Sequence, residues 1–113
     1  MTEIRALLLA AGLGTRLRPY TENLPKCLMP VSRRPLLEHW LCTLYRQKVS
    51  KVLVNTHHHA EVVHEFLARK PFQGWVDEVY EQKLLGTAGT LRNNWQYFAD
   101  STILLIHSDN WCQ

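Results

Sequence analysis

Two glycines and two basic side chains stand in an order that suits an anionic ligand. Gly12-Leu13-Gly14-Thr15-Arg16 is followed by Pro25-Lys26, so the chain reads G-x-G-T-R and then P-K. Glycines let backbone N–H groups approach phosphate oxygens, Arg supplies a planar fork of donors, and Lys supplies a compact charge. The combination is an anion cradle. Two familiar cradles are excluded: the dinucleotide fingerprint needs Gly where Leu17 stands, and the G-x-x-x-x-G-K-[ST] pattern is absent. Downstream, Asp109 follows an apolar run ending at His107. A carboxylate at a strand's carboxyl end is well placed for a hard cation bridging phosphates, whereas a solitary Asp is otherwise a loop or cap residue.

The segments Leu9 to Thr21 (LAAGLGTRLRPYT), Pro25-Lys26 and Met29-Pro30-Val31 resemble the signature of the sugar-1-phosphate nucleotidyltransferases. The resemblance continues through Arg34 to His39, Val54 to His57, Leu85 to Gly89 and Ser108-Asp109. It implies an α/β fold of the Rossmann-like nucleotidyltransferase type (GT-A-like), a three-layer sandwich on a mainly parallel sheet. The implied reaction joins a nucleoside triphosphate to a sugar 1-phosphate, giving an NDP-sugar and pyrophosphate. Domains of that family are longer, so residues 1–113 are read as a truncated, N-terminal nucleotide-binding half. The family's second metal-binding aspartate, its sugar-binding lysine and most of its sugar pocket belong beyond Gln113.

The resemblance also implies roles. Gly12, Gly14 and Thr15 would wrap the triphosphate through their backbone, with Leu9, Ala10 and Ala11 leading into the loop as further nucleotide-binding residues. Arg16 would hold the departing β and γ phosphates and Lys26 the α-phosphate, where charge builds as the sugar-phosphate oxygen attacks in line. Asp109 would bind Mg2+. Ser108 replaces a usual Gly before it, and Cys27 replaces a common Pro after the lysine. Gly86 and Thr87 would lie against the base, although Thr87 is equally an ordinary helix cap. Five residues before Gly86 stands Glu81, where thymidylyl- and uridylyltransferases place Gln. A carboxylate only accepts hydrogen bonds and guanine offers two adjacent donors, so Glu81 points to GTP and the mannose-1-phosphate guanylyltransferase branch. If the alignment slips by one, Gln82 takes that place and uracil or thymine is favoured.

These residues need a scaffold that brings strand ends together. Arg5 to Ala10 is a short apolar run ending at the glycines, as expected of a strand buried on both faces. The stretch 11–34 holds too many Gly and Pro for a continuous helix and is read as a long functional loop. Pro35 opens a helix whose first turn it occupies, ending near Gln47 and presenting Leu37, Trp40, Leu41 and Leu44 on one face. Lys51 to Asn55 reads as a second buried strand. Glu61 to Ala68 reads as a helix burying Val62, Val63, Phe66 and Leu67. Trp75 to Tyr80 is a third strand, Thr87 caps a helix running to about Tyr97, and Ser101 to His107 is a fourth strand. This alternation predicts βαβ units and ligands beyond the carboxyl ends of the strands. The last strand lacks a following helix, so an apolar face or edge is expected to lie open, which allows a homo-oligomer.

Composition fits this reading. The 113 residues are 46% hydrophobic and 20% charged, which excludes disordered and collagen-like classes. A net charge of +3 without a block of Lys and Arg among aromatics argues against nucleic acid as the partner. Cys27, Cys42 and Cys112 are odd in number and form no C-x-x-C pair, so neither a disulfide framework nor a zinc site is indicated, and the cytoplasm is the simplest compartment. Ala6 to Leu13 imitates the apolar core of a signal peptide, but Glu3 precedes it and a phosphate-loop pattern follows. No run reaches the ~18 apolar residues of a membrane span. His57, His58 and His59 in succession do not converge on one metal ion and are read as a polar loop. His107 is a strand residue, Trp40 is core, and Trp111 is a packing residue. Rival functions are a non-catalytic nucleotide-binding or interaction module, and a transferase using UTP, dTTP or CTP with another acceptor such as phosphocholine.

Overall fold

The apolar run after Glu3 becomes the spine of a parallel sheet. The computed structural model describes residues 3–11, 26–28, 30–57 and 60–107. Strand β1 spans Glu3–Leu9, with Ala6, Leu7 and Leu8 fully buried, which is the pattern of a strand covered on both faces. It pairs with β4 (Lys51–Thr56) on one side and with β6 (Ser101–His107) on the other, and β5 (Val76–Tyr80) completes the order β5-β4-β1-β6. Every pairing in this sheet is parallel. The expected α/β class and parallel sheet are therefore observed.

Helices cover both faces. On one, α1 (Leu36–Arg46) and α2 (Ala60–Leu67) place Leu37, Leu41, Leu44, Val63, Phe66 and Leu67 against Ala6, Leu8, Val52 and Val54. On the other, α4 (Trp95–Phe98) buries Phe98 against Leu7 and Leu53, and Leu91 of α3 (Gly86–Asn93) packs at the margin. The first core is much the larger. Trp40 is half-buried and packs against it. On β6, Leu104 and Leu105 are 39% and 41% exposed.

Several boundaries differ from the sequence reading. Pro35 lies before the helix as its N-cap residue, not in its first turn, because it pairs with Pro30 across a small antiparallel hairpin, β2 (Pro30–Val31) with β3 (Arg34–Pro35). Ser32 and Arg33 make its turn with φ of 52° and 70°, the left-handed pair that a two-residue hairpin turn requires. Trp75 precedes β5 and donates its indole N–H to the Val49 carbonyl at 2.9 Å. Thr87 is not a cap: α3 begins at Gly86 after Leu85, with no side-chain cap bond. Nor does that helix reach Tyr97. Asn94 ends it, its side-chain amide donating to the Thr90 carbonyl at 2.9 Å, and α4 then starts afresh.

Candidate functional site

The strand order puts the sheet's switch point between β1 and β6. In an open parallel sheet, ligands bind beyond the carboxyl ends of the strands at that point. Leu9 and His107 are register partners there. From Leu9 the sequence runs to Gly12, and from His107 to Asp109. Gly12, Gly14, Thr15, Arg16 and Asp109 lie outside the described residues, as do His58, His59, Cys112 and Trp111. Lys26 opens a single 3-10 turn, Lys26–Leu28, anchored by Cys27 and Leu28 in the same core cluster as Ala10. The Lys26 side chain is not among the described groups.

A buried polar chain links three strand ends to a helix. The Asn55 side-chain oxygen accepts from the backbone N–H of Ala10 at 2.6 Å and of Ala11 at 3.1 Å. Ala10 thus leaves the β1 ladder for a side-chain partner. The Asn55 amide nitrogen donates to Glu81 Oε1 at 3.3 Å, and Thr90 Oγ1 donates to Glu81 Oε2 at 2.5 Å. Asn55, Glu81 and Thr90 are 4%, 5% and 0% exposed. The amide's orientation is fixed by its neighbours, since backbone donors need an oxygen and a carboxylate needs a donor. Bonds to two backbone carbonyls brace the same place: the Glu81 N–H donates to the Thr56 carbonyl at 2.7 Å, and the His57 side chain donates through Nδ1 to the Glu81 carbonyl at 2.6 Å. A carbonyl only accepts, so His57 carries its hydrogen on Nδ1.

This geometry changes how some expected residues are understood. The sequence gives Glu81 the place of an acceptor for a base, but both its oxygens accept bonds from within the protein. Gln82, the one-residue alternative, is exposed and helps line a cavity of about 330 Å³ with Lys83, Leu85 and Asn94. Ala10 and Ala11 donate their N–H groups to Asn55. Asn55 lies within the Val54 to His57 segment of the resemblance but carries no role there, and Thr90 is not singled out by the sequence. An Asn closing the apolar strand Lys51–Thr56 is a faint signal for the first, and nothing local marks the second.

The glycines of Leu85 to Gly89 each have a steric reason. Gly86 has φ of +73°, where a side chain is strained, and a Cβ on Gly89 would stand 2.9 Å from the Leu85 Cβ. Burial pushes the Cys27 thiol up to about 12, so at neutral pH it is an inert thiol. Among the described residues, no group of three or more His, Cys, Asp or Glu side chains could hold a metal ion. Among them, too, no helix is long and apolar enough to cross a membrane.

Helices on both faces of a parallel sheet, with a buried polar clamp at the carboxyl end of β1, define a doubly wound α/β domain. The family model described as nucleotidyl transferase matches residues 5–113, and the chain belongs to that family. It is 31% identical over 118 residues to a Synechocystis UTP-glucose-1-phosphate uridylyltransferase, covering 94% of this chain and 30% of that protein. It is 31% identical over 113 residues to a Gibberella zeae mannose-1-phosphate guanyltransferase, covering 96% of this chain and 31% of that one. Among solved structures, a CTP:phosphocholine cytidylyltransferase from Streptococcus pneumoniae superposes with a TM-score of 0.80 at 29% identity, covering 96% of this chain and 46% of that chain. The chain thus spans less than half the length of these relatives.

Proposed function

We propose that the chain forms the nucleoside-triphosphate-binding part of a sugar-1-phosphate nucleotidyltransferase, with GTP and mannose 1-phosphate as its substrates. The observation that carries the reading is the Leu9–His107 register at the switch point, from which the sequence runs on to Gly12 on one strand and to Asp109 on the other. In this reading the sugar-phosphate oxygen attacks the α-phosphorus in line. A phosphorus–oxygen bond forms, the α–β bridging bond breaks, and pyrophosphate leaves with the bond's electron pair. Lys26 offsets charge on the α-phosphate and Arg16 holds the departing phosphates. Gly12, Gly14 and Thr15 supply backbone contacts, and Gly86 and Thr87 face the base. Ala10 and Ala11 present the loop rather than donate to the nucleotide. Asp109 is the proposed Mg2+ ligand; the cation would neutralise phosphate charge.

The choice of guanine and mannose is supported by the Gibberella zeae relative, not by Glu81, whose oxygens are already engaged. The Streptococcus pneumoniae structure favours a second reading, a cytidylyl donor with a phosphocholine acceptor. Nucleotide binding decides between the donors. The chain is titrated calorimetrically with GTP, UTP, dTTP and CTP in the presence of magnesium. GTP is expected to bind most tightly, and tighter binding of CTP or of either of the other two overturns the choice of guanine.

A further inference from the structure

We infer that Asn55, Glu81 and Thr90 form a positioning chain that couples the phosphate side of the site to its base side, with Glu81 as its hub. The inference rests on the nucleotide-binding reading above and deepens it. A carboxylate that is 5% exposed carries a cost unless every oxygen is satisfied, and here each oxygen has its own donor. One donor belongs to Asn55, whose remaining atom fixes the two backbone N–H groups immediately before Gly12. The other belongs to Thr90, three residues into the helix after Thr87 and wholly buried. A shift of α3 therefore changes the Thr90–Glu81 bond, then the Asn55 amide, then the peptides that launch the glycine loop. Because Asn55, Glu81 and Thr90 are buried, they act on a nucleotide through the elements they join, with Glu81 also bordering the cavity that Gln82 lines.

The pattern of donors has a reciprocal solution that the protein does not use. Asn55→Asp keeps an oxygen for Ala10 and Ala11 but sets a second carboxylate against Glu81 Oε1, where the amide now lies 3.3 Å away. Glu81→Gln removes one charge but faces the Asn55 amide and the Thr90 hydroxyl with one oxygen and one amide, so one bond must reverse. Combining the two restores every bond. The new amide at 81 donates to the new carboxylate at 55, its oxygen accepts from Thr90, and the net charge is unchanged.

The test is a double-mutant cycle read by GTP affinity in the presence of magnesium, by affinity for UTP, and by the urea midpoint. Asn55→Asp is expected to weaken GTP binding by about tenfold or more, the size of a like-charge contact at a buried site. Glu81→Gln is expected to lose less, without a change in the GTP-to-UTP preference. The double variant is expected to return to within about threefold of the wild-type affinity and to the wild-type midpoint. Additive losses overturn the proposal, as does a midpoint that recovers while affinity does not, which would make the chain merely structural. A changed base preference in Glu81→Gln also overturns it, because Glu81 would then read the base directly. If the folded wild type binds no nucleoside triphosphate, the functional reading itself fails and the coupling falls with it.

Discussion

Replacing Asn55 by Ala removes three hydrogen bonds at one point and leaves their partners buried. The N–H groups of Ala10 and Ala11, in residues 6% and 4% exposed, lose their acceptor. Glu81 Oε1 loses its donor. An orphaned buried polar group costs about 1–3 kcal/mol, so the two N–H groups alone represent about 2–6 kcal/mol. A water entering the vacated space offsets part of this, and the carboxylate's lost donor adds to it, leaving about 3–5 kcal/mol. For a domain whose whole stability is about 5–15 kcal/mol, that is a large share. Urea unfolding followed by the fluorescence of the chain's 4 tryptophans measures it. With a denaturant slope of about 1–2 kcal/mol/M, the midpoint should fall by about 1.5 M or more. A fall of less than about 0.5 M would mean that Ala10 and Ala11 find other partners, and the clamp would not be the feature that fixes the loop's first peptides.

Other sites give independent checks. Gly89→Ala should lower the melting temperature, at a cost of about 1–3 kcal/mol, because its Cβ would meet the Leu85 Cβ, a group that cannot swing away. Gly86→Ala has open space around it but adopts φ of +73°, so its cost of about 1–2 kcal/mol is conformational; calorimetric scans of both variants check these values. Peptide mapping after brief alkylation should find Cys42 labelled and Cys27 unlabelled, with Cys27 becoming reactive only on unfolding, since its thiol is pushed up to about 12 by burial. The hydrogen bond from His64 Nδ1 to Glu78 raises the His64 pKa above its ordinary value of 6.5. The imidazolium's contribution is therefore fully present below about pH 6.5 and is lost as pH rises through the folded-state pKa. His64 is exposed, so the effect is small. Urea midpoints between about pH 5.5 and pH 8.5 should show a decline that His64→Gln removes.

Much of the scaffold was legible because burial writes itself into sequence as apolar runs. β1, β4 and β6 follow that rule, and α1 and α2 follow the helical period of their leucines, valines and phenylalanine. Where local chemistry competes, the boundaries move. Asn94 ends a helix by bonding backward to Thr90, and the turn at Ser32 and Arg33 adopts left-handed backbone without glycine or asparagine. The site was legible only where its residues are contiguous in sequence, as in Gly12 to Arg16. The chain through Asn55, Glu81 and Thr90 spans 26 and then 9 residues and obeys no period, so only the folded strand ends bring it together. Glu81 was the hardest to place from sequence, since a carboxylate is ordinarily a surface group and gives no sign that its neighbours will enclose it.

Calorimetric titration of the 113-residue chain with GTP and magnesium tests whether the chain binds a nucleoside triphosphate. Saturable binding is expected, weakened by about tenfold or more in Arg16→Ala, in Lys26→Ala and when magnesium is chelated, with no matching loss of stability. A chain that unfolds cooperatively yet shows no saturable binding, or binds equally well without Arg16 and Lys26, would contradict the nucleotide-binding reading.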